Sequence, residues 1–117
     1  MTACRGIRGA TTADANTEEA IHSATTELVQ ALIDANSLEE DSLAAVFFTL
    51  TMDLDAAWAA TAARKLAWAN APLMDMTQVH VEGSLPRCIR ILILVNTEKE
   101  SKDLVYKYLK GAKELRS

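Results

Sequence analysis

Two arginines stand where a long cation is out of place. Arg90 lies in the run Cys-Ile-Arg-Ile-Leu-Ile-Leu-Val of residues 88–95. The run is apolar and rich in β-branched residues, without Gly or Pro and too short to span a bilayer, so it reads as a strand. Side chains alternate along a strand. Ile89, Ile91, Ile93 and Val95 then share one face, and Cys88, Arg90, Leu92 and Leu94 the other. Both faces are largely apolar, which predicts a strand covered on both sides. A guanidinium is not neutralised at working pH and is costly to bury unpaired, so something anionic must meet it. Arg8 lies in another predicted strand, residues 4–12, on one face with Cys4, Gly6 and Ala10. Small neighbours leave space beside it that a ligand could fill. Plain structural readings stand beside these. Arg90 could pair with an internal carboxylate or reach the sheet edge, and the glycines around Arg8 could mark a bulge or close backbone packing.

Other chemistry is poorly supplied. The histidines, His22 and His80, are far apart and lack the ligand spacing of a metal site. Cys4 and Cys88 make no disulfide framework and read as small core residues in a reducing, cytoplasmic protein. A net charge of −4 argues against nucleic acid as the main partner. No apolar run approaches the ~20 residues of a membrane span, and residues 1–9 lack the apolar core of a signal peptide. At 117 residues, half of them hydrophobic, the chain reads as one domain over residues 1–117.

The remaining elements must position the two arginines. Residues 17–36 predict an amphipathic helix, with Ile21, Ala24, Leu28, Leu32 and Ala35 at helical spacing and Thr17 or Asn16 as cap. His22, near its start, reads as a surface residue. Residues 43–52 predict a buried strand, 56–69 an alanine-rich helix and 73–81 a third strand before the turn at Gly83-Ser84-Leu85-Pro86. A short helix is expected from Lys102, with Leu104, Val105, Tyr108 and Leu109 as its apolar side, then a mobile polar tail at 110–117. The order is β-α-β-α-β-β-α, an α+β chain. Two helices cannot cover a four-stranded sheet on both sides, so either the sheet curls into a barrel or other copies cover it; a closed homo-oligomer is expected.

Three stretches carry a family resemblance. They are Arg-Gly-Ile-Arg-Gly-Ala-Thr-Thr (5–12) with Thr-Glu-Glu (17–19), Val-Glu-Gly-Ser-Leu-Pro-Arg-Cys-Ile-Arg-Ile-Leu-Ile-Leu-Val-Asn-Thr (81–97), and Val-Tyr-Lys-Tyr-Leu (105–109) before Leu115-Arg116. In order and spacing the chain resembles the monofunctional chorismate mutases of the AroH class. The resemblance implies a mixed β-sheet forming a trimeric pseudo-α/β-barrel, with active sites between subunits. It implies isomerisation of chorismate to prephenate on the way to phenylalanine and tyrosine, without metal or organic cofactor. Arg90 would hold a carboxylate and donate to the breaking ether oxygen. Arg8 and Tyr108 would bind substrate, and Met74, Asp75, Met76, Thr77 and Gln78 would wall the pocket. Trp58, Ala60, Thr61 and Arg64 would sit at its rim, with Leu115 and Arg116 in the closing tail.

Two positions depart from the family. A glutamate common at the position of Gln78 is absent, while Asp75 brings a carboxylate where the family often has a small or uncharged residue. The expectation is that the charge has moved along one pocket wall, which needs a bulge because residues three apart on a regular strand face opposite sides. Thr61 also replaces a common lysine. Two other readings remain: a trimeric enamine or imine deaminase of the RidA type, and a chorismate-binding module without turnover.

Overall fold

The computed structural model describes residues 1–116, with the side chains of residues 1–115. Five strands form one mixed sheet: β1 (Ala3–Thr12), β2 (Leu43–Leu50), β3 (Leu73–Thr77), β4 (Cys88–Thr97) and β5 (Lys107–Tyr108). Their spatial order is β3-β2-β4-β1-β5. The apolar strand β4 takes the centre, antiparallel to β1 and β2, while β3 and β5 lie parallel to β2 and β1 at the two edges.

Both helices, α1 (Glu18–Asn36) and α2 (Ala59–Leu66), pack on the same face. Ile89, Ile91, Ile93 and Val95 of β4 are buried there with Ile7, Val46 and Phe48, under Ile21, Leu28 and Leu32 of α1 and Ala59 and Ala63 of α2. Each large side chain so buried is worth roughly 1.5–3 kcal/mol, so this half of the sheet supplies the main core. The opposite face is largely open in one chain. Met74 is 54% exposed, Met76 41% and Leu92 39%. Within one chain the cover is thus present on one side only. None of the helices is long and apolar enough to cross a membrane among the described residues.

Local chemistry explains the element ends. Thr17 caps α1, its hydroxyl accepting from Ala20 N–H at 3.1 Å. α2 is shorter than residues 56–69. Before it, Asn16 Oδ1 takes the N–H groups of Asp55 and Ala56; after it, the N–H groups of both Ala67 and Trp68 return to Ala63 O, and Trp68 enters the core. β3 ends at Thr77 rather than 81, because its partner β2 ends at Leu50; Gln78 N–H makes the last bond, to Leu50 O at 2.8 Å. The turn closes at Val81–Ser84, with Gly83 at φ 82°, two residues earlier than expected. Cys4 is exposed and only Cys88 is a core residue.

The C-terminal segment departs most from expectation. Residues 102–109 form no α-helix. A 3-10 turn at Ser101–Asp103 leads into the extended pair β5, and Lys110–Arg116 forms a 3-10 helix in place of a mobile tail. Ala112 of that helix is buried with Ala10 and Cys88, against Leu85, Tyr108 and Leu115. This second, smaller cluster covers one end of the otherwise open face.

Candidate active site

The open face collects the two arginines. Register pairs Arg90 with Ala10 on β1 and Thr49 on β2, and pairs Leu92 with Arg8 and Phe47. Arg8 and Arg90 therefore sit on one face, one strand apart. Both line a cleft of about 780 Å³ whose other walls include Phe47, Thr49, Met76, Gln78, Val79 and Leu92. The wall is mostly apolar, and an apolar wall strengthens any charge pairing made inside it.

Among the described residues no carboxylate lies within ion-pair distance of Arg8 or Arg90. Arg8 stacks on Tyr106, its Cζ 5.4 Å from the ring centroid. Arg90 lies beside the Cys88 thiol; burial pushes that thiol up from its ordinary pKa, against the opposing pull of the guanidinium. Gln78 has a buried Oε1 that no donor meets among the described residues, so an acceptor stands ready in the same cleft. The start of β4 is fixed from below. Thr51 Oγ1 accepts from Cys88 N–H at 3.0 Å, and the Asp53 carboxylate accepts from Arg87 N–H at 3.0 and 3.2 Å. Arg90 thus projects from a rigid strand rather than a loop.

The sequence-derived candidates divide by place, and two of them, Ala60, which is buried in the core, and the exposed Arg64, line neither cleft. Arg8, Met76, Thr77, Gln78 and Arg90 share the cleft. Met74 points to the same open face beside Phe47. Tyr108, paired with Ala10, and Leu115 border the small cluster at the cleft's end. The side chain of Arg116 lies outside the described residues. Trp58, Thr61 and Asp75 line a different cleft of about 710 Å³ on the helical side, shared with Glu18, His22 and Asp55. There His22, read as a surface residue, is half-buried.

The relocation of charge to Asp75 along one wall is corrected by this geometry. β2 and β3 pair in regular register from Val46–Leu73 to Leu50–Thr77, with no bulge. Within one chain Asp75 and Gln78 consequently face opposite sides of the sheet. Asp75 instead accepts from Ala60 N–H with both oxygens, at 3.1 and 3.2 Å. It thereby caps α2, whose own N-cap residue Trp58 has no capping side chain. Burial raises the Asp75 pKa above its ordinary 3.8; the Ala60 N–H and the Arg64 charge oppose that rise without cancelling it. Sequence reasoning missed one structural contributor, Asn36, whose contacts lie 69 residues away.

Comparison with known proteins agrees with this arrangement. The family model described as chorismate mutase type I matches residues 4–117. The chain belongs to that family. It is 46% identical over 113 residues to the chorismate mutase AroH of Thermus thermophilus, covering 96% of this chain and 93% of that protein. It is 34% identical, over 96% of this chain and 89% of the relative, to the chorismate mutase AroH of Bacillus subtilis (strain 168). A solved chorismate mutase from Clostridium thermocellum superposes with a TM-score of 0.91 at 45% identity, over 94% of this chain and 98% of that one. The resemblance carried by the three sequence stretches therefore extends over nearly the whole chain, in fold as well as in sequence.

Proposed function

We propose that the chain is a chorismate mutase that isomerises chorismate to prephenate, in sites built between the subunits of a closed homotrimer. The observation that carries the reading is the Arg90 guanidinium, fixed on the central strand beside Arg8 in an apolar cleft, with no carboxylate paired to it among the described residues. The substrate is a dianion, and two such cations match its carboxylates. The reaction is a unimolecular Claisen rearrangement: the ether C–O bond breaks as a C–C bond forms, and no proton is exchanged. Catalysis then needs no acid–base residue. It needs the substrate held in its compact reactive conformer and donors aimed at the oxygen on which charge grows. Arg90 supplies the donor, Arg8 and Tyr108 bind substrate, and Gln78 accepts from its hydroxyl.

The division of residues supports an assembly of several copies. Arg8, Gln78 and Arg90 lie on the open face, Trp58, Thr61 and Asp75 on the other side. One pocket can hold both groups only when the second comes from a neighbouring copy. A reducing compartment such as the cytoplasm suits the two free thiols, Cys4 and Cys88.

The test is direct. The purified chain is expected to consume chorismate, with loss of its absorbance and prephenate as product. Release of ammonia from an imine with chorismate untouched would favour the deaminase reading, and binding without turnover the non-catalytic one. Arg90→Lys is expected to keep the assembly and lose ~10²–10³ in kcat, because a point charge cannot replace the planar donor fork. Near-normal kcat in that variant refutes the role of Arg90.

A further inference from the structure

We propose that Asn36, at the end of α1 and outside both clefts, is a positioning residue for Tyr108: its side-chain amide sets the register of β5. The inference rests on the reading that Tyr108 binds substrate, and goes beyond it in saying what aims the ring. Asn36 is only 4% exposed, and its amide is fully engaged. Nδ2 donates to Leu32 O at 3.1 Å and to Val105 O at 2.9 Å, while Oδ1 accepts from Val105 N–H at 2.8 Å. Lys99 Nζ adds a donor to the Asn36 backbone carbonyl at 3.0 Å. An amide that both donates to and accepts from one residue's backbone imitates a hydrogen-bonded partner on a neighbouring strand.

β5 needs such an anchor. Its ladder with β1 spans two residues, Gly9–Lys107 and Ala10–Tyr108, followed by Leu109 N–H to Ala10 O at 2.9 Å. Each bond is worth about 0.5–1.5 kcal/mol net, so so few specify register weakly. A slip of one residue would turn Tyr108 to the other face of the sheet, away from Arg90. Asn36 discriminates against that slip. Leu104 and Tyr106 turn their peptide groups to the opposite side of the extended chain, so neither can both donate to and accept from the amide as Val105 does. Val105 lies three residues before Tyr108, about 10 Å along an extended chain.

The experiment is a double-mutant cycle on the full-length enzyme with chorismate. Tyr108→Phe alone tests the underlying reading and is expected to raise KM. Asn36→Ala is expected to raise KM roughly tenfold with kcat changed less than about threefold, the pattern of lost binding common to ground and transition states. In the Tyr108→Phe background the same change should raise KM less than about twofold, since there is no hydroxyl left to aim. Val105→Pro offers a second route should Asn36→Ala fold poorly. It deletes the N–H that Asn36 accepts, and Leu104 already has the extended φ −91°, ψ 140° that a following proline requires. Lys99→Met, which leaves the side-chain amide untouched, should leave KM unchanged. Equal KM factors in the two backgrounds, or an unaltered KM in both Asn36→Ala and Val105→Pro, overturn the proposal even where Tyr108→Phe behaves as expected.

Discussion

At the scale of single residues, Arg8 and Arg90 differ from Asp75 in the face they serve. Among the described residues, no acid pairs with the two arginines of the open face, while Asp75 serves the helical side. Asp75 is the residue whose expected direction was most instructively overturned, since within one chain it faces away from Gln78. Its type advertised a charge on the same wall as Gln78, but strand alternation decided its direction and the unfilled cap of α2 decided its partner. Its titration should be measurable. A carboxyl raised in the folded state binds protons that the unfolded chain has already lost, so stability falls as pH rises from 3.8 through the folded value. Asp75→Asn keeps an acceptor for Ala60 N–H and abolishes that titration. The wild type should therefore lose stability relative to Asp75→Asn across this window, and the difference should level off once the carboxyl is ionised. Denaturant midpoints of the two proteins between pH 4 and pH 7 check this; a gap that stays flat or moves in favour of the wild type counts against it.

At the scale of elements, what the sequence showed depended on how local the deciding interaction is. α1 was readable because its cap, its apolar stripe and its acidic first turn all lie within it. β4 was readable from its own composition, and Arg90 was conspicuous for breaking it. β5 was not readable. Its residues have an apolar spacing that suits a helix, and what holds them extended is Asn36 and the free edge of β1, far away in sequence. Gly9 makes that edge approachable. A Cβ there would stand 2.9 Å from Lys107 O, 3.1 Å from Leu32 Cδ1 and 3.2 Å from Ile91 Cγ2. The first of these is backbone, so the added methyl must push β5 outward. Gly9→Ala is expected to cost about 1–3 kcal/mol, the usual range for overpacking, and to weaken substrate binding by displacing Tyr108. Urea unfolding and KM measured on the same preparation test both halves. Unchanged stability would mean that β5 yields without cost.

At the scale of the whole molecule, one chain is half covered. Both helices are used on one face, and the other exposes Met74, Met76 and Leu92 around a cleft whose complementary residues, Trp58 and Thr61, lie on the helical side of the same chain. In the proposed assembly, a neighbouring copy both buries this apolar surface and completes the site. Leu94 separates the two ideas from simple misfolding. It lies on the open face of β4, paired with Gly6 and Ala45, and is only partly buried in one chain. A carboxylate there stays hydrated in a lone subunit but is stripped of water in an assembly that covers the face, at a cost of several kcal/mol when no cation meets it. Leu94→Glu should thus yield a folded, smaller species by sedimentation, with the wild-type circular dichroism and with chorismate turnover largely lost. Its activity should rise with protein concentration as copies are forced together by mass action. A variant that sediments as the wild type does and retains turnover would show that this face is not where the copies meet.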